Sequence, residues 1–176
     1  MPTSNANTGI IMSWSKCKIE IGEAANGGAA MPAALASIGV IKDKSTTLEP
    51  SDGEVLEMKQ TGGRRVAKED GEGGLVIKTR LIEPSDDFYA TLGLGSVDST
   101  SSELQVKTHV VSKNYGVKLT PKNIGAKGIK APFTSVTFKP GYSEEDGHFV
   151  DVEFEILQGA ADYWYSKFTV AAADWN

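Results

Sequence analysis

The stretch LVIKTRLIE, residues 75–83, decides the fold. Leu75, Ile77, Thr79 and Leu81 share one face of an extended chain, and Val76, Lys78, Arg80 and Ile82 share the other. The same two-residue period returns in HFVDVEFEIL, 148–157, where Val150, Val152, Phe154 and Ile156 form the inner face and Phe149, Asp151, Glu153 and Glu155 the opposite one. CKIEIGEA, from residue 17, sets Cys17, Ile19 and Ile21 against Lys18 and Glu20. NYGVKLTP, GIKAPFTSVTFKPG and EVLEMKQ read as further strands, divided by Gly, Pro, Asn and Asp. LQVKTHVV alternates weakly. YWYSKFTV reads as a final strand, with Tyr163 and Tyr165 on one face and Trp164 on the other.

One helix interrupts this pattern. In EPSDDFYATLGLG, Ser85 or Asp86 is placed to cap the open amides, and the neighbouring acids favour the positive end of the helix. Phe88 and Leu92 lie four apart on one face, and Gly93 or Gly95 ends the helix in the left-handed conformation. The piece after Pro32, PAALAS, reads either as one or two helical turns or as an extended connector, followed by a strand over Ile38–Lys42. Strands at short spacing with a single helix predict a mainly β fold: an antiparallel β-sandwich or barrel with one flanking α-helix, about residues 85–93, and a long loop between two strands. Residues 1–16 read as an N-terminal arm, and 17–176 as a single β domain.

The composition is that of a soluble globular protein: 176 residues, 40% hydrophobic and 23% charged. A net charge of −5 argues against a general binder of nucleic acid or membrane surfaces, which needs a concentrated positive field. The opening residues lack a basic region and a long apolar run, so no secretory signal is expected, and synthesis and folding are expected in the cytoplasm. No run reaches the length of a membrane span. Cys17 is the one cysteine and reads as a small apolar residue at a strand start. His109 and His148 sit in no recognisable motif. No phosphate loop, zinc spacing, nucleophile elbow or calcium loop is present, and Glu144, Glu145 and Asp146 read as a solvated turn. The expectation is therefore a protein without enzymatic activity, cofactor or metal. Tyr163, Trp164 and Tyr165 suggest a sugar platform, but on a strand only part of the cluster is exposed together, and packing is the better reading.

The segment QTGGRRVAKEDGEGG, 60–74, is expected to be the functional element. It is bounded by Gly62, Gly63, Gly73 and Gly74, lies between two strong strands, and is long for a hairpin turn. Its charges are ordered, with Arg64, Arg65 and Lys68 first and Glu69, Asp70 and Glu72 after. Exposed ion pairs contribute little affinity but set orientation and specificity, so the segment suits a head-to-tail contact between copies that closes into rings or stacks into tubes.

From Cys17 to Gly95 the chain resembles the tail tube (major tail) proteins of tailed bacteriophages. The resemblance rests on CKIEIG, IGVIKDKSTTLEPSDGEVLEMKQTGG, the charged segment and LVIKTRLIEPSDDFYATLGLG, in that order. It implies a virion structural protein of the viral tail, whose copies form rings, usually hexameric, that stack into a hollow tube for genome delivery. The partners it implies are the chain itself, the tape-measure protein, and tail terminator or baseplate proteins. DNA would pass through the lumen without specific binding, and no membrane is involved. The subunit of the type VI secretion needle is related, so a contractile injection system is an alternative setting. A carbohydrate- or cell-surface-binding β-sandwich is the other.

Overall fold

The computed structural model describes residues 16–51, 55–59, 65–70, 73–107 and 113–175. The strands are β1 (Cys17–Glu23), β2 (Ala36–Ser37), β3 (Thr47–Ser51), β4 (Val55–Lys59), β5 (Arg65–Asp70), β6 (Gly74–Ile82), β7 (Gly95–Val97), β8 (Leu104–Val106), β9 (Asn114–Pro121), β10 (Lys127–Ser143), β11 (Gly147–Ile156) and β12 (Ser166–Thr169). One helix, α1 (Asp86–Thr91), follows β6. The fold is the expected one: mainly β, antiparallel and sandwich-like, with one α-helix among the described residues.

The main sheet runs β2-β1-β9-β10-β11-β6-β3, with β12 added to β10. Seventeen residues long, β10 belongs to two layers. Its first part pairs with β9 and β12, its second with β11, and the register shifts between Ala131 and Thr134. A bulge of this kind bends a strand and lets it turn a corner. The sheet therefore folds on itself. Ile19, Ile21, Val117 and Ala131 of one layer share a core with Ile77, Leu81, Val150, Val152, Phe154 and Ile156 of the other. The inner face predicted for β11 is the one buried here, and in β6 it is the face of Ile77 and Leu81 that turns inward.

A second corner joins the layers at the opposite side. The Ile38 amide donates to Ile19 of β1, while Val40 accepts from Ile82 and the Lys42 amide donates to Arg80, both on β6. The switch takes place at Gly39, whose φ of +112° is open to glycine and strained for any side chain. The piece after Pro32 is not helical. Pro32 passes over the facing pair Gly22 and Gly116, where a Cβ on Gly22 would meet Pro32 at 2.8 Å. The chain there must stay extended and close to the sheet, which a helix of larger diameter would not allow.

Helix α1 begins at Ser85, whose hydroxyl accepts from the Phe88 amide at 3.4 Å, with Asp86 and Asp87 in the first turn. Phe88 and Leu92 are 3% and 4% exposed, and Gly93 takes the left-handed conformation with φ +69°. Tyr89 and Leu94, which the four-residue spacing does not single out, are buried with them. The aromatic run near the C-terminus is a bend, and β12 starts only at Ser166. Tyr163 is exposed, whereas Trp164 and Tyr165 pack on the core.

Candidate assembly surface

The outer face of the β10-β11-β6-β3 layer is a grid of charges set by register. Arg80 stands opposite Asp151, and Asp151 opposite Lys139; Thr47, Lys78, Glu153 and Thr137 form the next row. Arg80 is the hub. Its Nε and Nη2 donate to the two Asp151 oxygens at 2.6 and 2.9 Å, and Nη1 donates to Asp146 Oδ2 at 3.2 Å. The guanidinium also lies 4.2 Å from the Phe149 ring centre. Two-pronged pairing of this kind suits the planar guanidinium and is stronger than a point-charge contact. Asp151, first, and Asp146 raise the Arg80 pKa further above its ordinary value.

Asp146 closes the network from the β10–β11 turn. Lys42 Nζ donates to both its oxygens at 2.7 and 2.8 Å. Its side chain is 8% exposed, and the Lys42 and Arg80 hydrogen bonds hold its pKa below the usual carboxylate value. Of the acidic turn residues, this one is thus tied down. Lys78 pairs with Glu49 at 3.0 Å, which raises the lysine pKa and lowers that of the carboxyl. Across the face, Lys78, Arg80 and Lys139 meet Glu49, Asp151, Glu153 and Glu155, so bases and acids nearly balance.

Among the described residues, both edges of this layer are unpaired. β3 pairs only with β6, and from Val136 to Ser143 β10 pairs only with β11 among the described residues. Each carries one proline, Pro50 or Pro140, which an edge tolerates and a central strand does not. Because the layer has four antiparallel strands, its two edges run in opposite directions.

The segment expected to act between copies is in part a strand. Arg65–Asp70 is β5, paired antiparallel with β4 in a sheet of their own. The registers explain why. Ser51 faces Gly74, and Val55 faces Asp70, four residues onward on one strand and four back on the other. The β3–β6 and β4–β5 pairings thus keep one register, with 52–54 and 71–72 between them outside the described residues. Mixed charge and flanking glycines suggest a loop, but antiparallel pairing with VLEMK makes RVAKED a strand. Of the expected contact residues, Arg65, Lys68, Glu69 and Asp70 lie on β5, Gly73 precedes β6 and Gly74 begins it. Gly62, Gly63, Arg64 and Glu72, like His109 and residues 1–15 of the expected 1–16 arm, lie outside the described residues.

Sequence reading missed the two open edges and the Arg80 hub. The only hint of the hub was an acid, Asp146, immediately before the turn glycine Gly147. Among the described residues, no group of three or more His, Cys, Asp or Glu side chains is placed to hold a metal, and no helix is long and apolar enough to cross a membrane. No protein-family model matches the chain, and comparison with curated proteins gives no match.

Proposed function

We propose that this protein is a self-assembling structural subunit of a tube of the phage-tail type, without enzymatic activity. The observation that carries the reading is the four-stranded layer with two open edges of opposite direction. Adding β3 of one copy to the Val136–Lys139 edge of the next makes an antiparallel pair, and each copy then offers a fresh edge to its neighbour. Such a head-to-tail contact closes into a ring when the rotation fits. The charged face of the layer then lines the channel. Its paired, nearly balanced charges present no concentrated positive field, which suits DNA that must slide through. The β4–β5 pair, in register with β3 and β6, makes the contact to the next ring of the stack. In this reading the protein is made in the host cytoplasm, works in the virion tail, and meets tape-measure, terminator or baseplate proteins at the tube's bore and ends. A needle tube of a contractile system would use the same contacts. A sugar-binding role draws no support from the aromatic run, because Trp164 and Tyr165 are spent on the core.

The test is to replace 63–73 by a short Gly-Ser link and follow assembly by sedimentation and negative-stain microscopy. The parent is expected to form rings or tubes and the variant to remain a folded monomer. Equal assembly of the two would remove the β4–β5 pair from the contact, and a parent that stays monomeric at high concentration would overturn the reading.

A further inference from the structure

The two unpaired edges of the charged layer differ on their inner sides. Beside β3, between the first residue of β1, the end of β9 and the start of β10, lies a groove of about 570 Å³, with Cys17, Ile41, Leu48, Leu119, Pro121 and Ile129 along it. Ile41, Leu48 and Leu119 pack on the core with part of their surface still accessible. At the other edge, Val136 and Phe138 of β10 stand opposite Phe154 and Val152, turn inward with them, and are likewise only half-buried. One edge thus carries an apolar recess and the other apolar side chains. Their backbones match as well. A proline at an edge turns its nitrogen away from its partner strand, and groups of that direction recur at every second residue. Leu48 and Pro50 on β3, and Val136, Phe138 and Pro140 on β10, therefore turn their backbone groups outward. The Leu157 amide, which donates to Phe133, fixes the same parity for β10, whose odd-numbered residues bond to β11.

We infer that the groove receives Phe138 of a second copy, in a seam that sets Leu48 opposite Phe138 and Pro50 opposite Val136. The seat rests on the proposed ring and gives its contact a register. In this register Leu48 and Phe138 exchange both hydrogen bonds, and the Val136 amide donates to the Pro50 carbonyl. A shift of two residues one way puts Leu48 opposite Pro140, which has no amide to donate. The other way puts Pro50 opposite Thr134, which is already paired with Tyr115 of β9. A shift of one turns the inward face of one copy against the outward face of the next. The Phe138 ring then lies beside Leu48, on the side where the groove opens. The charges agree. Thr47 stands opposite Lys139, with Glu49 diagonal to that lysine and within its reach. Antiparallel pairing carries the end of β10 toward the segment before β3, so the turn bearing Glu144 and Glu145 meets Lys44. All three are exposed, and none forms an ion pair with a described residue of its own chain.

Thr47 and Lys139 supply the readout, because both are exposed and, in this register, form a close pair with Cα atoms about 4.5 Å apart, within disulfide range. Within one copy they stand on opposite edges of a four-stranded layer, roughly 14 Å apart at 4.7–4.9 Å per strand, beyond that range. The variant Cys17→Ser, Thr47→Cys, Lys139→Cys is expected, on mild oxidation of the assembled protein, to give a ladder of covalent oligomers on a non-reducing gel. With Thr137→Cys in place of Lys139→Cys the ladder is expected to be lost. Equal ladders would overturn the register, and assembly with neither ladder would overturn the seam while leaving the tube to other contacts. The unaltered chain tests the seat without a substitution. Cys17, the only cysteine, lies in the groove and is expected to react with Ellman's reagent roughly tenfold more slowly in the assembly than in the monomer, because the reagent must wait for the contact to open. Equal rates would overturn the seat for Phe138. A parent that sediments only as a monomer would overturn the ring itself, and the seat with it.

Discussion

Asp146 shows how much one turn residue contributes to the charged face. It joins Lys42, just beyond the Gly39 corner, to Arg80 in the middle of β6. Its pKa is depressed in the folded state, chiefly by the Lys42 hydrogen bond. A carboxyl depressed on folding adds stability at pH values above its unfolded pKa, near 4, and loses it as pH falls through the folded value. Asp146→Asn is therefore expected to lower the urea midpoint near pH 7 and to matter progressively less below about pH 4, where the native carboxyl takes up its proton. Urea titrations at neutral and strongly acidic pH check this. An equal gap between variant and parent at both would mean that the ion pair carries no stability.

Among the elements, helix α1 has the least length over which to justify itself. Six residues cannot hold a helix in water, so its existence depends on the side chains it buries. Phe88 is the most deeply buried of these at 3% exposure, edge-on to Tyr89 with ring centres 5.4 Å apart. Phe88→Ala is expected to cost about 3–5 kcal/mol, a large part of a typical domain's stability. Chemical denaturation measures it, and an unchanged midpoint would show that the helix is not packed as described. Local signals made this element legible: a serine cap, acids in the first turn, a four-residue apolar spacing and a terminal glycine. They made β1, β6, β9, β10 and β11 legible as well, since alternation marks a half-buried strand. What stayed hidden depends on distant residues. PAALAS carries helix formers, yet the approach of Pro32 to Gly22 and Gly116 keeps it extended. Tyr163–Tyr165 carries strand formers, yet two of its rings are drawn to the core around a bend. The strand in 65–70 was masked by its charges and declared itself only through register with β4. Open edges have no sequence signature beyond an occasional proline.

At the scale of the whole molecule, β4 and β5 pair with no other described strand. A two-stranded ribbon alone is marginal in water. Its backbone amides are expected to exchange far faster in the isolated subunit than those of the β6–β11 ladder, and to become protected on assembly. Hydrogen exchange over 55–59 and 65–70 in both states checks this, and full protection in a verified monomer would mean that the ribbon is held by its own chain. The common register of the two ladders also bears on how such a protein changes over generations. A residue inserted into one strand alone must be absorbed as a bulge, like the shift between Met58 and Lys59, or it turns every side chain beyond it to the opposite face. Lengthening the ribbon cleanly requires matched insertions in both strands, each residue pair adding about 3.4 Å. Its span can thus evolve only in discrete steps, by paired changes in both strands, while the charged grid on the β10-β11-β6-β3 layer keeps its alignment.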